Sequence, residues 1–67
     1  MERYVLGLYG EIDYALVYLP QNKVTPFVCA WEPTFENGKI HHWGQGHYFV
    51  KIEDAVEYIN EKRRNHA

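Results

Sequence analysis

The residues best equipped for chemistry sit close together. Residues 39–49 read KIHHWGQGHYF, with His41, His42 and His47 set around Trp43 and two glycines, and Cys29 lies a short way upstream. Imidazole and thiolate are metal ligands, and they are also the base and nucleophile of covalent catalysis. A structural zinc site needs four such ligands closing a tetrahedron, usually supplied as two short-spaced pairs. Cys29, His41, His42, His47 and His66 show no such spacing. Neighbouring residues on a strand point to opposite faces, so His41 and His42 share an ion only where the strand is broken. His41 and His47 share a face only if no bulge intervenes, and Gly44 and Gly46 favour one. The histidines therefore read as exposed or hydrogen-bonded structural residues. No metal and no cofactor is expected, and the fold should survive chelation.

Covalent catalysis finds equally little support. A catalytic thiolate needs an activating environment, whereas Cys29 lies in the apolar run PFVCAW and reads as a buried strand cysteine. Paired carboxylates, a phosphate loop and a Ser-His-Asp pattern are all missing, so the chain is not expected to be an enzyme.

The elements that must position these side chains follow from periodicity. Arg3 to Tyr9 is rich in Tyr, Val and Leu and suits a first strand, with Gly10-Glu11 offering a turn. Residues 12–19 set Tyr14, Leu16 and Tyr18 against Ala15, Val17 and Leu19, which favours a strand; Ile12, Ala15, Leu16 and Leu19 also fit helical spacing. The turn-forming run PQNK leads to a third strand, Thr25 to Glu32, with Phe27, Cys29 and Trp31 on one face, and the two strands form a hairpin.

Asn37-Gly38 signals a tight turn with positive φ at both central residues, leading into a fourth strand from Ile40 to Val50. Counting back from that turn places Phe35 opposite Ile40, Glu32 opposite Trp43, and Trp31 opposite Gly44, where the glycine leaves room for an indole. Pro33 cannot donate to a ladder, so the register must break or bulge there. From Ile52 onward, Ile52, Ala55, Val56 and Ile59 recur at helical spacing. Acids at the start and Lys62, Arg63 and Arg64 at the end suit the helix dipole. The expected fold is α+β: one domain over residues 1–67, an antiparallel β-meander of three or four strands with a C-terminal amphipathic helix on one face and the other face uncovered.

At 67 residues, a chain buries only about 60% of its unfolded surface, so help from a partner is expected. The single Cys29 removes an internal disulfide as a staple and points to a reducing, cytoplasmic setting. No basic leader precedes an unbroken apolar run, and no membrane association is expected. A formal charge of −2 gives no general attraction to phosphates. Aromatic residues make up 16% of the chain, more than so small a core can hold, so several should reach the surface. An aromatic sheet face can stack single-stranded bases, and KRRN at 62–65 adds positive charge. No RNP-like string is present, however, and three basic residues at a helix end are ordinarily a solvated terminus.

The run AWEPTFENGKIHHWGQGHYF followed by KIEDAVEYI resembles a strand, turn, strand and helix pattern in small proteins of phages and integrative elements of Gram-positive bacteria. The similarity covers residues 30–59 and carries no catalytic residue. It implies an accessory or counter-defence protein that acts by binding, for example an anti-CRISPR inhibitor occupying a nuclease.

Elimination and surface composition together point to stoichiometric binding of another protein through Tyr9, Tyr14, Tyr18, Trp43 and Tyr48, with Phe27, Trp31 and Phe49 assignable equally to core or surface. A homodimer is the other expected cover for the apolar surface. The rival reading is a single-stranded nucleic-acid-binding or metal-stabilised domain.

Overall fold

The structure, a computed structural model, describes residues 2–66. Six strands and one helix follow in order: β1 (Tyr4–Tyr9), β2 (Tyr14–Tyr18), β3 (Phe27–Trp31), β4 (Thr34–Glu36), β5 (Lys39–His42), β6 (Gln45–Phe49) and α1 (Ile52–His66). Strands β1, β2, β3 and β6 form an antiparallel sheet in that order, while β4 and β5 pair as a separate hairpin. The α+β class, a strand rather than a helix within residues 12–19, here Tyr14–Tyr18, the β2–β3 hairpin and the C-terminal helix all agree with the sequence reading.

Local chemistry explains the corners. A single 3-10 turn over Gly10–Ile12 links β1 to β2, and Asp13 closes it in the left-handed region at φ 60°, donating its N–H to the Gly10 carbonyl. Aspartate is one of the few side chains that tolerate this conformation. In the β2–β3 loop, the Asn22 side-chain oxygen accepts the N–H groups of Val24 and Thr25, replacing the backbone partners that a turn removes. Asn37 at φ 54° and Gly38 at φ 78° give the turn expected from that dipeptide, with Glu36 opposite Lys39 and Phe35 opposite Ile40.

The expected continuous fourth strand is instead two strands in two sheets. The third strand ends at Trp31, where Glu32 takes φ 54° ahead of Pro33, and the chain bends away from the ladder. On the returning side β5 ends at His42 and β6 starts at Gln45, so the break falls at Trp43-Gly44. Gly44 donates to the Trp31 carbonyl at 2.8 Å, which keeps these two residues adjacent as counted from the turn, although the ladder resumes as Trp31 opposite Gln45. The indole that needs room is that of Trp43, and Gly46 provides it: a Cβ there would meet Trp43 Nε1 at 2.9 Å and Val28 Cγ2 at 3.0 Å.

This bend also covers the sheet face that was expected to be bare. One core cluster, on the hairpin side, joins Ala15, Val17, Leu19, Val28 and Ala30 to Ile40, with Trp43 packed against it. The second, under the helix, joins Tyr14, Leu16 and Cys29 to Ala55 and Ile59, with Tyr58, Phe27 and Phe49 alongside. Phe27 and Phe49 are thus partly buried residues packed against this cluster. The helix buries a narrower stripe than its periodicity implies: Ala55 and Ile59 are buried, whereas Ile52 and Val56 are exposed. Near its far end Arg63 bonds Glu11 at 3.2 Å and lies over the Tyr9 ring at 5.6 Å, but both side chains of the ion pair are about half exposed and the pair contributes little to stability. No helix among the described residues is long and apolar enough to cross a membrane.

Candidate functional site

The histidines do not converge. His41 is the extra residue of a β-bulge in the hairpin, since Thr34 faces His42 and Phe35 faces Ile40. The bulge breaks strand alternation, and the His41 and His42 rings come to a centroid distance of 4.2 Å, correcting the expectation of opposite faces. His47 lies on the helix side of the main sheet, opposite Cys29 in the β3–β6 ladder, with its ring 4.7 Å from that of Tyr58. No group of three potential ligands forms among the described residues.

Cys29 is fully buried, and its thiol donates to the Ala55 carbonyl at 3.3 Å. Burial pushes its pKa up to about 11, the opposite of what a thiolate nucleophile requires. Tyr14 behaves alike: desolvation, then the hydrogen bond with Tyr58 at 3.3 Å, raises it to about 12.

Both shifts have the same sign in linkage. In the unfolded chain the thiol loses its proton near about pH 8.5 and the phenol near about pH 10, while the folded forms stay neutral. Stability is therefore fully present below those values and is lost as pH rises through 11 and 12. Denaturant midpoints measured from pH 8 to 11 are expected to fall with rising pH in the wild type and to fall less in Cys29→Ala; an equal slope in the two proteins counts against the buried thiol as a contributor.

The five aromatic residues singled out for binding divide between two faces. Tyr9, Tyr14 and Tyr18 lie on the helix side: Tyr14 is buried in the core, Tyr9 packs against the cluster under the helix, and the Tyr18 ring lies 5.5 Å from that of Phe27. Trp43 and Tyr48 lie on the hairpin side. Trp43 is half-buried, with the Arg3 guanidinium 5.3 Å above its ring, and Tyr48 is exposed on β6. The five do not form one surface. Trp31, left open between core and surface, is partly exposed at the end of β3.

What aromatic content alone missed is β1, one of the two edge strands of the main sheet, the other being β6. β1 has one neighbour, β2, and leaves its other side unpaired. Tyr4, Val5, Leu6 and Leu8 are all exposed there, Leu8 by 62%, and no charged residue occurs between Arg3 and Glu11. Soluble proteins blunt such edges with lysine, proline or a bulge. Here the bulge between Val5 and Gly7 is present and the others are missing. The run YVLGLY was visible in the sequence as a strand; which edge would remain open depended on how the whole sheet assembled.

The chain was compared with family models, curated proteins and solved structures, and it matches none of them.

Proposed function

We propose that this chain is a non-catalytic protein-binding module that captures one partner stoichiometrically, and that β1 is its docking edge. The observation that carries this reading is the uncharged, exposed and singly paired strand. An extended segment of a partner adds alongside β1, where backbone groups supply the hydrogen bonds. Val5 and Leu8 on one side and Tyr4 on the other give alternate side-chain contacts. The total surface, 4672 Å², is close to the roughly 4,450 Å² typical of a monomer of this mass, so the exposure of β1 belongs to a chain folded to ordinary compactness.

Action by occupancy needs no catalytic group, and the one thiol, Cys29, is masked by burial. Resemblance to small phage and mobile-element proteins fits an accessory or counter-defence role in the cytoplasm, such as an inhibitor seated on a nuclease.

The test uses affinity capture from a nuclease-treated bacterial extract with the wild type and Leu8→Lys, followed by calorimetry with the purified captured protein. Leu8 is exposed, so Leu8→Lys should melt within a few degrees of wild type. One defined protein should bind at one-to-one stoichiometry, and Leu8→Lys should weaken it at least about tenfold. Recovery of nucleic acid alone from untreated extract would sink the proposal in favour of base stacking, and a scattering mass of twice 8.0 kDa would assign β1 to a second copy instead.

A further inference from the structure

We propose that Arg3, His41 and His42 form a site for a single phosphoryl-sized oxyanion carried on a small organic phosphate. The site lies on the hairpin side of the sheet, and none of its three anion-holding residues belongs to β1.

Geometry supports this in three ways. First, Arg3, His41, His42 and Trp43 line a hollow of about 100 Å³, which suits one tetrahedral oxyanion and is too small for a sugar or base. Second, the guanidinium is held in place before any ligand arrives: it donates to the His41 carbonyl and lies over the Trp43 ring. A guanidinium has five N–H donors in a planar fork, so most remain for a ligand. Third, the bulge at His41 brings two exposed imidazoles together, and among the described residues neither ring hydrogen-bonds another protein group.

Charge chooses the ligand class. Two adjacent histidines suggest a metal at first sight, but the fixed positive charge of Arg3 in the same hollow disfavours a cation and favours an anion. The one ion pair among the described residues, Arg63 with Glu11, involves neither Arg3 nor Lys39. Glu2, the nearest carboxylate in sequence, accepts the Tyr4 hydroxyl at 2.6 Å.

Arg3 also lines a second, larger hollow of about 460 Å³ with Glu2, Tyr4, Lys39 and Ile40, where the Glu2 carboxylate is engaged by the Tyr4 hydroxyl. An oxyanion seated on Arg3 would place the rest of its carrier there, beside Lys39 and Ile40. The ligand class is therefore a phosphate monoester with a compact apolar body.

The experiment follows the imidazole proton resonances during titration with inorganic phosphate, phenyl phosphate and, as an ionic-strength control, potassium chloride. His47, on the opposite side of the sheet, is the internal reference. Phosphate should give saturable shifts at His41 and His42 while His47 stays still, and phenyl phosphate should bind more tightly. Arg3→Lys keeps the charge and loses the fork, and should weaken phenyl phosphate at least about fivefold. If that variant loses its fold, His41→Gln with His42→Gln replaces it, since both side chains are exposed, and the same weakening is expected from loss of affinity measured by calorimetry. Shifts that grow linearly and are matched by chloride, equal movement of His47, or unchanged affinity in the folded variants would each overturn the site. Tighter binding of an unphosphorylated single-stranded oligonucleotide than of phenyl phosphate would overturn it as well.

Discussion

Ile59→Ala is expected to destabilise the domain by about 3 kcal/mol, while Val56→Ala, one helical turn earlier, costs under about 1 kcal/mol. Ile59 is 1% exposed and packs in the cluster with Tyr14, Leu16, Cys29 and Ala55, so shortening it opens a cavity that a central sheet cannot collapse into. Val56 is 38% exposed and loses little contact. A domain of this size rarely has more than about 3–5 kcal/mol to lose, so Ile59→Ala should leave a substantial unfolded fraction at 37 °C. Urea denaturation of the two variants checks the pair. Equal losses would mean that the helix lies on the sheet with a wider stripe, including Ile52 and Val56, as its periodicity alone implies.

Gly46→Val should cost about 2–3 kcal/mol, the range of a forced overpacking, and Gly44→Ala should stay within about 1 kcal/mol. At Gly46 a Cβ meets Trp43 Nε1, Val28 Cγ2 and Tyr48 Cε1 between 2.9 and 3.2 Å. Val28 is fully buried and Trp43 is wedged between the sheet and Arg3, so neither gives way cheaply. At Gly44 the nearest atom, at 3.1 Å, is the Glu32 carboxylate oxygen, the far end of an exposed side chain that can swing aside. His41→Ala and His42→Ala, both on exposed positions, should be mild beside Gly46→Val. Thermal melts of the four variants separate a packing glycine from a connecting one. A histidine change that unfolds the protein while Gly46→Val is tolerated would reverse the roles of the two residue types in this stretch.

The contrast between these glycines shows what was legible in the sequence. Local chemistry was readable wherever one residue type is nearly obligatory: Asn37-Gly38 at a positive-φ turn, or the 3.6-residue recurrence that marks α1. Pro33 and the glycines at 44 and 46 announced an irregularity as well. Its outcome was not readable, because folding β4 and β5 back over Val17, Val28 and Ala30 depends on contacts between segments far apart in sequence. The same holds for the candidate sites. The alternation rule separated His41 from His42 until a one-residue bulge, set by pairing with β4, brought them together. Aromatic content pointed to surface rings, and Tyr4, Trp31, Phe35 and Tyr48 are exposed; of the residues chosen for binding, however, Tyr14 is core and Tyr9, Tyr18 and Trp43 are half-buried, while the aliphatic side chains of β1 went unremarked in solvent. A strand's apolar character can be read from its residues; whether it ends at an edge is a property of the assembled sheet.

The most direct measurement of the docking role is amide hydrogen exchange on the complex with the captured partner, read residue by residue against the free protein. The unpaired side of β1 leaves backbone groups in water, and strand addition must bond them. Slowing concentrated in Tyr4–Tyr9, largest around Leu6 and Leu8, is the expected result. Unchanged exchange in β1 together with slowing confined to β6, the hairpin or α1 would contradict it.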